Sequence, residues 1–568
     1  VLPSVEGRET RDHGWLITDD PTLFVLEFAG NPPLLRRMSK HIAIYDTTLR
    51  DGAQGQGISF SAAGKLRVAQ RLDEFGVDYI EGGYAASNPK DMAFFKDVKK
   101  LGLKHAKVAA FGSTRRAGIA CSEDIGCQAL IEADTPVATI FGKSWKLHVR
   151  DVLRTTEEEN LAMIRDTVAF LKENGREVIY DAEHFFDGYK DCPEYALAAL
   201  KAAADAGADM VVPCDTNGGT MSDELAGIIK IVMDTVSCPV GIHAHNDCEL
   251  GVANSLVAIA AGAVHVQGTI NGFGERTGNA NLNSIVANLK LKLGYDCLRD
   301  DSLSQLRDVS HFVYELANVI PNPKMPYTGE SSFAHKAGMH VDGVRKNPSS
   351  FEHINPEVVG NQRTILISEL SGTSNIFLKT AEMGLKIERG SPETKAILAK
   401  LEEMEREGYE YEAADASFQM LVKKVVEGHK PFFELEGYRV IVEKRHQDEP
   451  PISEATIKLS IDGEMVHTVG EGDGPVAALD SALRKALAPF NEEISQVHLI
   501  DYRVRILDPE EATSAKTRVL IESTDGTDTW TTVGVSENII EASWKALVDS
   551  VEYKLFLDEK REIAVRSA

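Results

Sequence analysis

Apolar and polar positions along the chain keep one rhythm for its first half and change it twice afterwards. Short apolar runs, rich in β-branched residues, stand at 42–47 (IAIYDT), 78–84 (DYIEGGY), 107–112 (KVAAFG), 137–142 (VATIFG), 177–183 (EVIYDAE), 210–216 (MVVPCDT), 239–245 (PVGIHAH) and 265–271 (HVQGTIN). Amphipathic stretches at helical spacing follow them at 61–76, 89–102, 115–132, 157–174, 194–206, 221–236, 250–262 and 280–291. Apolar strands alternating with helices predict a parallel sheet covered by helices on its outer face. Eight such units in about 250 residues have the count and size of a closed (β/α)8 TIM barrel.

From 300 to 430 the pattern becomes mostly helical, with periodic stretches at 303–318, 368–384, 393–407 and 411–427. A polar segment from Pro326 to Gly329, and on through His335 to His340, interrupts it. From 431 the period changes again, and an internal repeat appears. HTVGEGDGPVAALDSAL (467–483) aligns with TTVGVSENIIEASWKAL (531–547) at an offset of 64 residues. Each copy predicts strands, a Thr-Val-Gly turn and a helix, capped by Asp473 or its neighbours in the first copy and by Ser536 and Glu537 in the second. The expected architecture is therefore α/β: a barrel over 38–299, helical linker subdomains over 300–430, and an α+β regulatory or dimerisation domain over 431–568. Residues 1–37 mix charges with Pro and Gly, and the expectation is either a natural start at Met38 or a loosely attached N-terminal extension.

Charge narrows the function. The chain carries 61 basic and 87 acidic residues, a net charge of −26, which opposes a nucleic-acid-binding surface. A small anionic substrate is still admissible, since it needs only a local cluster. The seven cysteines form no CxxC pair, as expected of reduced thiols in a cytoplasmic protein. No apolar run approaches the ~20 residues that span a bilayer.

The strongest chemical signal is that polar residues gather at the C-terminal ends of the expected strands, where barrel enzymes place their chemistry. Asp46, Arg50 and Asp51 follow the first strand, and Glu81 lies in the second. Ser144, Glu183, His184, Asp215, Thr216, His243, His245 and Asn271 lie at or just past later ones. In HAHND (243–247) the two histidines at i and i+2 share one face of a strand. Taken alone, His-x-His is more readily structural than metal-binding. With Asp51 from the DTTLRDG segment (46–52), separated from it around a closed ring only by the eighth strand, it predicts an open site for a divalent cation, Mg2+, Mn2+ or Zn2+.

DTTLRDGAQ (46–54), HAHND (243–247) and GFGERTGNANL (272–282) together resemble the α-isopropylmalate, homocitrate and citramalate synthase family, over essentially 41–560. IEGGYAASNPKD (80–91), FGKSWKLHV (141–149) and DAEHFFDGY (181–189) look most like its bacterial subgroup that condenses pyruvate with acetyl-CoA, feeding isoleucine biosynthesis. The resemblance implies a metal-dependent Claisen-type condensation followed by thioester hydrolysis. It implies Asp51, His243 and His245 as metal ligands, with Asn279 beside the metal. Arg50 would face the developing alkoxide, Glu183 would position Arg50 or a water, and Thr216 would bind the substrate carboxylate. A downstream histidine, His340 or in competition His335, would take the methyl proton, often from the partner subunit, with Tyr327 and Glu330 orienting it. The repeat resembles the family's regulatory domain, implying a homodimer with isoleucine or leucine as effector. Isopropylmalate or homocitrate synthase chemistry, and a catalytically silent amino-acid-sensing dimer, are the rival expectations.

Overall fold

The computed structural model describes residues 41–86, 89–299, 301–366, 380, 388, 391–411, 413–428, 431–444, 446–507 and 515–567. The expected extension at 1–37 lies outside them, and so does nearly all of the expected helix at 368–384.

Eight parallel strands close into a barrel in chain order: β1 (Ala43–Asp46), β2 (Tyr79–Tyr84), β3 (Lys107–Ser113), β4 (Val137–Lys143), β5 (Glu177–Glu183), β6 (Met210–Asp215), β7 (Gly241–Ala244) and β8 (His265–Gly268). β8 pairs back onto β1 from Ala43–His265 to Asp46–Gly268. The flanking helices are α1 (Ala62–Phe75), α2 (Pro89–Val98), α3 (Ile125–Glu132), α4 (Glu157–Glu173), α5 (Phe185–Asp191), α6 (Pro193–Asp205), α7 (Ser222–Thr235), α8 (Gly251–Ala260) and α9 (Leu282–Leu291). Their boundaries have local causes. Ser61 Oγ accepts from Gly64 N–H to start α1, Val68, Leu72 and Phe75 bury its inner stripe, and Gly76 ends it at φ 97°. The amphipathic stretch expected from 115 becomes helical only at Ile125, because the Asp124 carboxylate caps Gly126 and Cys127 N–H there.

Inside the ring Tyr45, Ala109, Val137, Ile179, Val212 and Cys214 pack together. The barrel is filled, so chemistry is confined to its C-terminal rim.

Past the barrel come α10 (Leu306–Leu316), the short parallel pair β9 (Ala334–His335) and β10 (Thr364–Ile365), and α11 (Gly338–Lys346). Helices α12 (Pro392–Arg406) and α13 (Asp415–Glu427) follow. The C-terminal module holds two three-stranded antiparallel sheets, β11 (Glu434–Glu443), β12 (Ile452–Ile461), β13 (Glu464–Gly472) and β14 (His498–Ile506), β15 (Thr517–Thr524), β16 (Thr529–Ser536). Each sheet feeds one helix, α14 (Pro475–Leu487) or α15 (Ile539–Ser567), and both units share one apolar core.

Thr-Val-Gly lies within the last strand of each unit, not in a turn. Thr468 Oγ1 donates to Ala482 O at 2.9 Å, and its repeat partner Thr532 donates to Ala546 O at 2.8 Å. A Cβ on Gly470 would stand 2.3 Å from Ala482 N, and one on Gly534 2.0 Å from Ala542 O. The repeated motif is a strand–helix contact. The second helix is capped by Asn538, whose Oδ1 accepts from Ile540 N–H, and the first has Gly474 at its N-cap with no side-chain cap.

Candidate active site

The site is built from the turn after β1. Asp46 is spent on shaping that turn: its carboxylate accepts from Thr48 N–H at 3.0 Å and Thr48 Oγ1 at 2.8 Å. The turn brings Asp51 to the end of β7. Asp51 Oδ2 lies 3.4 Å from His243 Nε2 and 3.9 Å from His245 Nε2, and all three side chains are buried. The two imidazole nitrogens face each other at 3.3 Å. His243 Nδ1 sits 2.9 Å from Gln267 Oε1, while Gln267 Nε2 donates to Asp181 Oδ1 at 2.9 Å. That chain makes Nδ1 the protonated nitrogen of His243 and turns the Nε2 lone pair into the cluster.

Electrostatics agree with this assignment. Burial holds both imidazoles below the ordinary histidine range, and His245, with His243 beside it, falls to about 4. Burial alone would push the Asp51 carboxyl up, but Arg50 and the two histidines outweigh it and leave it below the usual range. Near neutral pH the cluster therefore presents one carboxylate and two unprotonated imidazoles. His245 Nδ1 and Asn279 Oδ1 are buried polar atoms with no protein partner. Two facing lone pairs beside a carboxylate fit a divalent cation, and the donor set admits Mg2+, Mn2+ or Zn2+.

Arg50 is fixed on two sides. Its Nε donates to Glu81, whose buried carboxylate also accepts from Tyr45 OH at 2.5 Å and Thr47 Oγ1 at 2.6 Å. Its guanidinium lies over the Phe111 ring, 3.7 Å from the centroid, with Nη1 3.5 Å from Asp51 Oδ2. Glu81, from β2, thus occupies the place against Arg50, one of the two roles expected of Glu183, the other being to position a water. Glu183 instead pairs with Lys143, its register partner on β4.

Asn279 is buried beside the cluster. It bridges His245 through the backbone, and its Nδ2 donates to Phe273 O at 3.0 Å. Thr216 Oγ1 accepts from His184 N–H at 2.9 Å, and Thr216 O accepts from Arg276 Nη2 at 2.7 Å. Arg50, Asp51, His243, His245 and Asn279 are thus brought together, with Glu183 and Thr216 on neighbouring rim positions. Tyr327 and His340 are not joined to them within one chain. Tyr327 OH donates to Asn288 Oδ1 at 2.8 Å, and His340 is exposed and stacked on Phe351. His335 is buried against Glu352, which Arg363 also holds.

Comparison with known proteins follows the same division of the chain. Residues 41–313 match the HMGL-like family, 327–408 the homocitrate synthase post-HMGL domain-like family, and 412–555 the LeuA allosteric (dimerisation) domain. The (R)-citramalate synthase of Geobacter sulfurreducens is 54% identical over 92% of this chain and 99% of its own length. The chain belongs to the citramalate synthase family. Relatives of the same printed name from Aquifex aeolicus, 55% identical over 93% of this chain and 100% of the relative, and from Synechocystis, 49% over 90% and 96%, extend the match.

Four residues around this family member's cluster escaped the sequence reading as working parts. Glu81 and Asp181 are charged residues inside otherwise apolar strand runs, and that anomaly was the available signal. Gln267 in β8 lies in no motif, and Lys143 at the end of β4 lies in FGKSWKLHV (141–149) with nothing in the sequence to mark its partner. Only strand register shows what they touch.

Proposed function

We propose that this chain condenses acetyl-CoA with pyruvate in a Claisen-type reaction and hydrolyses the thioester to release CoA and citramalate. The observation that carries this reading is the buried Asp51–His243–His245 cluster with Arg50 fixed beside it, in a chain that aligns over 92% of its length with an (R)-citramalate synthase. Asp51, His243 and His245 would hold a divalent cation with Asn279 beside it, and the cation supplies Lewis acidity toward the ketone of a 2-oxo acid.

The remaining steps belong to the protein. Arg50, immobilised by Glu81 and Phe111, places a fixed positive charge where the ketone oxygen becomes an alkoxide. Thr216 Oγ1 already accepts from His184 N–H, so its own hydroxyl proton is free to point at the substrate carboxylate. Glu183 neutralises Lys143 at the rim and keeps that ammonium in place. The methyl proton of acetyl-CoA passes to His340, whose imidazole ring nitrogen can accept it. Because His340 is exposed on α11, this role needs a second copy of the chain to complete the site. Tyr327, bonded to Asn288, braces the segment that carries it.

Thioester hydrolysis makes the reaction effectively one-way, so the step is suited to feedback. The C-terminal repeat would bind isoleucine, with leucine the alternative, and join two chains as a homodimer. The reading is tested by following CoA release from acetyl-CoA with single 2-oxo acids, before and after chelation of divalent cations. Pyruvate-dependent, cation-dependent release is expected. Inactivity with pyruvate beside turnover of 2-oxoisovalerate would overturn it.

A further inference from the structure

Hydrolysis needs a proton transfer that no residue assigned above performs, because water must lose a proton as it attacks and the departing thiolate must gain one. Among the described residues, the rim carries one carboxylate–imidazole pair apart from the Asp51 cluster, His184 with Asp187. His184 follows β5 directly, in the left-handed region at φ 55°, a conformation uncommon for so large a side chain. Its N–H is tied to Thr216 Oγ1. Its Nδ1 lies 3.2 Å from Asp187 Oδ2, and the same oxygen accepts from Asn217 Nδ2 at 3.1 Å. Burial raises the Asp187 carboxyl, but His184 and Asn217 outweigh it and hold it below the usual range. An ionised carboxylate at Nδ1 selects the Nδ1–H tautomer and leaves Nε2 with a free lone pair.

The surroundings keep that ring in place. His148 packs edge-on against it, centroids 4.4 Å apart, and Trp145 stacks on His148 at 5.2 Å. Burial, then the neighbouring His184 and Lys143, keep the His148 imidazole below its ordinary range, and its Nδ1 is buried without a protein partner. The His184 side chain keeps 13% of its surface open. Strand β5 places it next to Glu183, and Thr216 links it to the proposed carboxylate site.

We propose that His184, oriented by Asp187, is the general base for thioester hydrolysis. Nε2 takes a proton from water as the water oxygen bonds to the thioester carbonyl carbon. The tetrahedral intermediate then collapses, the C–S bond breaks, and the proton on Nε2 passes to the departing thiolate. One water is consumed, CoA leaves as the thiol and the acyl group leaves as the acid. This assignment rests on the condensation reading above and separates its two halves. His340 serves the carbon–carbon bond, and His184 serves the hydrolysis.

The experiment uses full-length, metal-replete protein and the variants His184→Asn, which tolerates left-handed backbone, and Asp187→Asn. CoA release is followed by thiol titration, the condensed thioester by mass spectrometry of quenched samples, and methyl-proton exchange of acetyl-CoA in deuterated solvent. For His184→Asn the expectation is a loss of CoA release of about 100-fold or more, accumulation of the condensed thioester on the enzyme, and exchange at the wild-type rate. Asp187→Asn should lose less release and accumulate the same thioester. Wild-type release in His184→Asn, or release and exchange falling together with no thioester accumulating, overturns the role of His184. Wild-type protein that frees no CoA with any 2-oxo acid overturns the condensation reading, and this inference with it.

Discussion

At the scale of single residues, the chemistry depends on which atom each side chain has left over. Asp51 has Oδ2 turned toward two imidazoles, and its loss should cost metal binding before it costs folding. Asp51→Ala is expected to remove CoA release and weaken divalent-cation binding, measured by titration calorimetry, with an unchanged far-UV spectrum. Gln267 acts one step back, through His243 Nδ1. Gln267→Met keeps the volume and removes the acceptor, so cation affinity should fall about 10–100-fold, with wild-type affinity as the contrary result. The three clustered residues were legible in the sequence, since their types and the strand order sufficed to bring them together. Glu81 and Glu183 were not, because both are rim carboxylates of the same chemistry. Only register decides that Glu183 faces Lys143 and that Glu81 reaches the turn carrying Arg50.

At the scale of elements, the barrel was readable because β and α periods alternate without interruption over 41–292. The repeat is legible in the sequence too, but its key motif plays a different part in the fold from the one its residues suggest. Glycine after Thr-Val looks like a turn residue in one dimension, whereas Gly470 and Gly534 are where a helix backbone presses on a strand. Gly534→Ala should therefore lower the unfolding midpoint of the C-terminal module by the equivalent of about 1–3 kcal/mol, the cost of overpacking. An unchanged midpoint in thermal or urea unfolding would refute the close contact. The barrel interior makes a second, pH-dependent prediction. Burial pushes the His265 imidazole down to about 3, from an ordinary 6.5. The unfolded chain takes up that proton near 6.5 and the folded chain refuses it until about 3, so this part of the stability is intact above 6.5 and is lost as pH falls toward 3. His265→Gln should flatten the fall in urea midpoint between about pH 7 and pH 5, and an unaltered slope would contradict the assignment.

At the scale of the whole molecule, the apolar cores divide: one runs from Ile42 to Val359, and another from Phe433 to Val551. Separate cores let regulation be removed without dismantling the site. Because α12 and α13 pack on β16 and belong with the C-terminal module, truncation before residue 392 is expected to retain cation binding at the Asp51 cluster and to abolish any inhibition by isoleucine; inhibition that survives truncation would place the effector elsewhere. The acidic surface, at a net charge of −26, makes the rim cations important to capturing anionic substrates. The central claim is the choice of acceptor, and a one-pot competition measures it. Acetyl-CoA is supplied with equal amounts of pyruvate, 2-oxobutyrate, 2-oxoisovalerate and 2-oxoglutarate, and the hydroxy acids formed are counted by mass spectrometry. Citramalate should dominate the products, and a majority of 2-isopropylmalate or homocitrate would contradict the assignment.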